Sequence, residues 1–249
     1  MARLRCVNLR KSFDGTAALD DLSLVLPASG LVGVIGPNGA GKTTLFNIIT
    51  GFLRPDEGKV FLDGKDLGRL APNRVVQAGI ARTFQELRLI SLLSVLDNVM
   101  LARQNQRGEQ LWRALTRIGV RAEERANQER AMELLEFVGL AEKAHDAAST
   151  LSYGQQKLLT LACCIATDAR ILFLDEPIAG VHPEMAKKIL GLLEQLHAGA
   201  KLVVFIEHDI PAVKQVAERV IVMDHGKVIA DGPPRDVLER PEILEAYVG

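Results

Sequence analysis

Apolar and polar residues alternate along the first 26 positions, with Leu22, Leu24 and Leu26 on one face. That two-residue period predicts half-buried strands. Leu31-Val32-Gly33-Val34-Ile35 then reads as a short buried strand, and Leu45-Phe46-Asn47-Ile48-Ile49 as a helix. Lys59-Val60-Phe61-Leu62 lies between Pro55-Asp56-Glu57-Gly58 and Asp63-Gly64, which makes it a hairpin strand between two turns. From Leu87 to Thr150 the pattern changes: proline is absent, β-branched residues thin out, and Arg, Glu, Gln, Leu and Ala predominate, as in a helical insert. Ile171-Leu172-Phe173-Leu174 and Leu202-Val203-Val204-Phe205-Ile206 are apolar throughout and of strand length, which predicts parallel strands buried on both faces. Val220–Met223 and Lys227–Ala230 flank Asp224-His225-Gly226 as a second hairpin, and Pro233-Pro234 precedes a short C-terminal helix. The chain has no tandem repeat and no low-complexity tail.

With 249 residues, these elements suit one large α/β domain carrying a subdomain. Lys and Arg number 30 against 31 Asp and Glu, a net charge of −1, so electrostatics does not favour nucleic acid or an anionic membrane surface as the main partner. Arg113, Arg117, Arg121 and Arg125 recur every four residues with glutamates between them; at this overall charge the solvated face of a helix is favoured over a polyanion site. Trp112 anchors that helix either to the domain or to a partner. Cys6, Cys163 and Cys164 lack the spacing and further ligands of a zinc site and read as buried thiols of a reducing compartment. The first six residues lack a signal peptide's apolar core. No apolar run approaches the ~18 residues of a membrane span, so any membrane role is expected to come through a partner.

Chemistry enters at Gly36-Pro37-Asn38-Gly39-Ala40-Gly41-Lys42-Thr43, which fits the phosphate-binding pattern G-x-x-x-x-G-K-[ST] at every fixed position. Glycines let successive N–H groups turn inward around a polyphosphate. Lys42 is then expected to reach the β and γ phosphates, and the Thr43 hydroxyl to ligate Mg²⁺. The predicted strand before the loop and helix after it aim the helix N-terminus at the anion. The Ile171–Leu174 strand ends in Asp175-Glu176. Asp175 is expected beside the metal held by Thr43, and Glu176 as acceptor of a proton from attacking water. Together they point to hydrolysis beyond nucleotide binding.

A third element precedes the helix leading to Asp175. In Leu151-Ser152-Tyr153-Gly154-Gln155-Gln156, Ser152 suits a helix N-cap and the amides around Gly154 suit an anion. Its place between a helical insert and the Asp-Glu strand resembles the signature motif of ATP-binding cassette (ABC) proteins, usually Leu-Ser-Gly-Gly-Gln, with tyrosine here in place of the first glycine. The resemblance covers essentially the full chain. Gln85 in Arg82-Thr83-Phe84-Gln85 matches the glutamine that ligates Mg²⁺ and links the ATP site to the helical insert. His208 in Glu207-His208-Asp209 matches the switch histidine at the γ-phosphate, and Phe13 lies where the family stacks an aromatic on adenine.

The resemblance implies an α/β P-loop NTPase core with a mostly parallel sheet, an N-terminal antiparallel β subdomain and an inserted helical subdomain. Residues 1–249 would form one nucleotide-binding domain, with 1–86 and 156–249 as core and β subdomain, and 87–155 as the helical subdomain ending in the signature. It implies nucleotide contacts from Phe13, Gly36, Pro37, Asn38, Gly39, Ala40, Gly41, Lys42, Thr43 and Thr44. Ser152, Gly154 and Gln155 would bind the ATP of a partner chain in a head-to-tail dimer. Glu176, His208 and Gln85 would be catalytic, with Thr43, Gln85 and Asp175 at the metal. After Glu176-Pro177 the family commonly carries a loop ending near an Asp; here His182 stands at that position, which raises the expectation of altered communication between the two ATP sites.

Within the family, Gly79-Ile80-Ala81-Arg82-Thr83-Phe84-Gln85, the Tyr153 signature, Ile206-Glu207-His208-Asp209 and the ending Ala246-Tyr247-Val248-Gly249 resemble ATP-binding subunits of bacterial branched-chain (hydrophobic) amino-acid importers. Related lipopolysaccharide-export ATPases share much of this. The importer branch implies a peripheral protein on the cytoplasmic face of the inner (plasma) membrane. Its partners would be a second ABC ATPase (itself or a sister), two permeases and, indirectly, a periplasmic binding protein, with no nucleic acid. A lipid or lipopolysaccharide exporter is the alternative. A non-transport ABC ATPase fits less well, since that class usually joins two cassettes or carries a coiled coil or zinc module.

Overall fold

The alternating N-terminal stretch forms β1 (Leu4–Phe13) and β2 (Thr16–Val25), antiparallel across a two-residue turn in which Asp14 and Gly15 both have positive φ, the turn that matches strand twist. Its inward residues, among them Leu4, Cys6, Leu9, Leu22 and Leu24, are buried. β4 (Glu57–Leu62) and β5 (Lys65–Asp66) complete an antiparallel sheet in the order β2-β1-β4-β5, so the expected hairpin at Asp63-Gly64 is present. The computed structural model describes residues 4–84, 87–103, 120–240 and 243, with the backbone alone for 120–123. Gln85, Trp112, Arg113, Arg117, the side chain of Arg121 and the ending 246–249 lie outside the described residues.

The continuous apolar runs make the second sheet. β3 (Gly30–Ile35), β6 (Ile80–Arg82), β7 (Ile171–Asp175), β8 (Leu202–Ile206), β9 (Arg219–Asp224) and β10 (Lys227–Gly232) lie in the order β10-β9-β3-β8-β7-β6. All neighbours are parallel except the β9–β10 hairpin. Side chains of successive residues enter opposite layers, as a strand's period requires: Leu172 and Leu174 join one apolar cluster, Ile171 and Phe173 the other. The second cluster lies between the two sheets and includes Phe46 and Phe173, whose rings meet edge to face at 4.8 Å.

On the other face the first cluster runs from Leu172 and Leu174 into the helical region. There α3 (Val95–Ala102), α4 (Val120–Val138) and α5 (Tyr153–Ala166) pack together; α1 (Lys42–Ile49) and α2 (Pro72–Gln77) precede them. Further helices are α6 (Pro183–Ala198), α7 (Ile210–Val216) and α8 (Pro234–Leu238). Cys6 and Cys164 are buried, Cys163 half-buried, and all three are free thiols that burial pushes up to about 12, so they are inert packing groups.

The topology positions the site. Because β3, β8 and β7 are adjacent and parallel, with Val34 and Asp175 both in register with Ile206, the loops after all three strands leave from one edge of the sheet. Those strand ends and the loops after them carry Gly36–Gly41, Asp175-Glu176 and Glu207-His208. Carboxyl-terminal sheet edges of this kind are where open α/β folds bind ligands.

Candidate active site

The glycines of the first loop are required twice over. Gly36, Gly39 and Gly41 have φ of 150°, 83° and 95°, where an L side chain is strained. A Cβ on Gly36 would also lie 2.1 Å from the Met223 carbonyl oxygen of β9, and one on Gly41 2.3 Å from that of Ala18 in β2. Gly41 in its left-handed conformation launches α1, whose first residue is Lys42. The Lys42 ammonium donates to the carbonyls of Gly36 at 2.7 Å and Pro37 at 2.9 Å. Burial pulls its pKa below the usual lysine value, opposed by the nearby carboxylates of Glu176 and Asp175. Residues 38–44, with Ala18, Glu176, Ile206 and His208, line a cleft of about 360 Å³. Of the residues named from the sequence, Asn38, Gly39, Ala40, Gly41, Lys42, Thr43, Thr44, Glu176 and His208 line this cleft beside Ala18 and Ile206, whereas Gly36, Pro37 and Asp175 do not.

Asp175, at the end of β7, is 3% exposed. Its carboxylate accepts from Arg82 Nη2 at 2.7 Å, and its backbone N–H donates to Thr83 Oγ1 at 3.1 Å. The hydroxyl of Thr43 and the carboxylate of Asp175 are hard oxygen donors. Among the described residues no cluster of three or more His, Cys, Asp or Glu forms a dedicated metal cage. A sparse oxygen set of this kind fits Mg²⁺, which takes most of its ligands from water and substrate phosphates.

Glu176 follows with φ of 48°, a left-handed conformation that costs a non-glycine residue about 1–2 kcal/mol. Three hydrogen bonds hold it and its loop there. The Glu176 N–H donates to the Ile206 carbonyl at 3.1 Å, the Lys157 ammonium donates to the Glu176 carbonyl at 2.8 Å, and the Ile178 N–H donates to Glu207 Oε1 at 2.9 Å. The Glu176 carboxylate in turn stands 3.1 Å from His208 Nε2. Glu207 is buried, and its second oxygen accepts from the His208 N–H at 3.3 Å. Burial pushes its carboxyl up to about 7, against the two amide hydrogen bonds that favour the anion. Arg82, Lys157 and Glu207 were not singled out for roles in the sequence. The usable signal was a charged residue embedded in an apolar run directly beside a motif.

Ser152 caps α5 as expected: its Oγ accepts from the Gln155 N–H at 3.4 Å, while the Gln155 side chain accepts from the Ser152 N–H at 3.0 Å, a reciprocal capping box. Gly154 is needed for space, since a Cβ there would lie 2.9 Å from Met185 Cγ of α6. Ser152, Gly154 and Gln155 are not among the residues lining the cleft around Lys42. Neither is Phe13, which sits at the end of β1, 47% exposed, with the Lys11 ammonium 5.5 Å from its ring centre. His182 is the N-cap of α6, its Nδ1 accepting from the Glu184 N–H at 3.4 Å; an Asp serves the same capping purpose.

A glycine loop around a helix N-terminus, its lysine, and a strand-end Asp-Glu beside a histidine define a nucleoside-triphosphate hydrolase of the P-loop class. The chain belongs to the ABC transporter family, whose model matches residues 19–179, and is an ATP-hydrolysing cassette of a membrane transporter. It is 36% identical over 248 residues to the high-affinity branched-chain amino acid transport ATP-binding protein BraF of Pseudomonas aeruginosa, covering 99% of this chain and 97% of the relative. It is 37% identical over 249 residues to a probable branched-chain amino acid transport ATP-binding protein LivG of Archaeoglobus fulgidus, covering 100% and 96%. Among solved structures it resembles the ADP conformation of MJ1267, an ATP-binding cassette of an ABC transporter, with a TM-score of 0.87 and 34% identity over 100% of this chain and 99% of the other. It also resembles a dimeric post-hydrolysis state of the cassette MJ0796 bound to ADP and Pi, with a TM-score of 0.78 and 28% identity over 93% and 99%.

Proposed function

We propose that this cassette powers import of branched-chain or other hydrophobic amino acids. The observation that carries the reading is likeness across the whole chain to ATP-binding subunits of such transporters, and the cleft that brings Lys42, Thr43, Glu176 and His208 together supports it. The chain works as a dimer, with itself or a sister cassette, against two permease subunits, and a periplasmic binding protein delivers the solute to them. It sits peripherally on the cytoplasmic face of the inner membrane. In support, no helix among the described residues is long and apolar enough to cross a membrane. This reading puts the permease contact between the core and the helical subdomain, 87–155; a groove of about 300 Å³ lined by Phe84, Arg88, Ile90, Leu101 and Cys163 supports it.

The P-loop amides and Lys42 hold the triphosphate, with Phe13 against the adenine. Mg²⁺, bound through Thr43, Asp175 and Gln85, would neutralise charge on the phosphates. Glu176 accepts the proton of the attacking water, and His208 orients the γ-phosphate and the Glu176 carboxylate together. Ser152, Gly154 and Gln155 close on the ATP of the opposite chain, which accounts for their position outside this chain's own cleft. ATP drives closure and hydrolysis resets the motor.

The test is a pull-down of tagged Glu176→Gln protein from detergent-solubilised native membranes with ATP, followed by uptake of labelled leucine in cells lacking the gene. Recovery of two multi-span permeases and a leucine-uptake defect is the expected result. Permeases of a lipid or lipopolysaccharide exporter would overturn the import assignment, and ribosomal or DNA-bound partners would overturn transport itself.

A further inference from the structure

The tyrosine in the signature motif has a partner within its own chain. A methyl built on Gly180 would lie 3.3 Å from Tyr153 Cε1, so the ring of Tyr153 covers the loop that follows Glu176. One helical turn later, Lys157 lies on the same face of α5. Its ammonium is 5.7 Å from the Tyr153 ring centre and 2.8 Å from the Glu176 carbonyl oxygen. Lys157 is 7% exposed, so this charge has been taken out of water to serve a backbone carbonyl, an arrangement that needs a reason. Between the two contacts runs a loop with Glu176 at φ 48° and Gly180 at φ 73°; glycine takes that conformation freely, but the strain at Glu176 persists only where its surroundings over-determine it.

We propose that Tyr153 and Lys157 are positioning residues: one face of α5 grips the loop 176–180 at both ends and thereby aims the Glu176 carboxylate. The far wall of the grip is Glu207, which holds the Ile178 amide and the His208 amide at once. Displacement of α5 along its axis therefore acts on the Glu176 carbonyl through Lys157 and on Gly180 through Tyr153. The first turn of the same helix carries Ser152 and Gly154. On the reading that these close on the opposite chain's ATP, nucleotide seated in one site sets the aim of the base in the other. A glycine at position 153 offers no ring to Gly180, so the tyrosine form of the signature gives this coupling a second point of attachment.

The test is steady-state ATPase of the full chain, with kcat and KM separated, alongside affinity for a fluorescent ATP analogue and thermal melting. Lys157→Met keeps the apolar stem and removes the donor. Its kcat is expected to fall about ten-fold or more, with KM and analogue affinity held within about two-fold. Lys157→Arg, which still donates to a carbonyl, is expected to recover most of the loss. Tyr153→Ala removes the other contact without stranding a buried charge and tests the grip should Lys157→Met fail to fold; it is expected to show the same split with a smaller effect. A kcat near wild type in Lys157→Met, equal losses in the Met and Arg variants, or kcat and analogue affinity falling together would overturn the proposal. A wild-type chain that neither binds nor hydrolyses ATP would instead overturn the functional reading on which it rests.

Discussion

Arg82 Nη2 lies 2.7 Å from Asp175 Oδ2, with both side chains 4% exposed. The same guanidinium donates through Nη1 to Asn47 Oδ1 of α1 at 2.5 Å, and lies 5.7 Å from the Phe46 ring centre and 5.2 Å from that of Phe84. One side chain thus ties together the end of β7, the helix that follows the glycine loop, and the segment leading toward Gln85. Burial pulls the Arg82 pKa down and the Asp175 hydrogen bond raises it, yet arginine remains charged throughout the accessible range.

Arg82→Met leaves the Asp175 carboxylate buried without its cation, which typically costs about 3–5 kcal/mol. Urea unfolding should show a loss of that order. A loss below about 1 kcal/mol would mean that the pair is as dispensable as a surface ion pair.

Two glycines of one loop should respond differently to the same change. Gly36→Ala drives a methyl into the Met223 carbonyl, whereas nothing lies within 4 Å of a Cβ on Gly39, where only backbone strain of about 1 kcal/mol arises. Titration with a fluorescent ATP analogue should show Gly36→Ala far weaker than Gly39→Ala, and comparable affinities would contradict the packing argument.

The buried carboxyl of Glu207, raised from 4.5 to about 7, makes a signed pH prediction. Between those values the folded chain binds more protons than the unfolded chain, so this group's contribution is present below pH 4.5 and is lost as pH rises through about 7. Glu207→Gln removes the titration. The melting temperature of the variant relative to wild type should therefore climb between about pH 5 and about pH 8. A difference that stays flat would show that Glu207 titrates normally.

His182→Asp places a better N-cap, and a negative charge, at the start of α6. A gain of about 0.5–1 kcal/mol is expected, read as a higher melting temperature. The same protein tests whether His182 alters communication between ATP sites: hydrolysis and its dependence on the partner cassette both unchanged would remove that idea.

Much of this was legible in the residues. Two-residue alternation marked β1 and β2, unbroken apolar runs marked β7 and β8, and Gly36–Thr43 announced its loop because every fixed position has its own steric or chemical reason. What escaped was non-local. Arg82 was read only as part of the run leading to Gln85, and its value arises only when β6 lies beside β7. Glu207 sat next to a histidine that drew the attention, and its two amide donors come from segments 29 residues apart or adjacent in chain. Ser152 was legible as a helix N-cap, whereas Gln155 was read only toward ATP, and its side chain completes the capping box. Tyr153 registered as a departure from a motif, and only the position of Gly180 explains it.

Glu176, held strained beside His208, is the proposed base of an ATP-driven motor. The most direct test is ATP turnover by Glu176→Gln beside its affinity for an ATP analogue. Affinity should stay near wild type while turnover falls roughly 10²–10⁴-fold, the scale of a lost general base. Near-normal turnover in a variant that binds ATP normally would contradict the account.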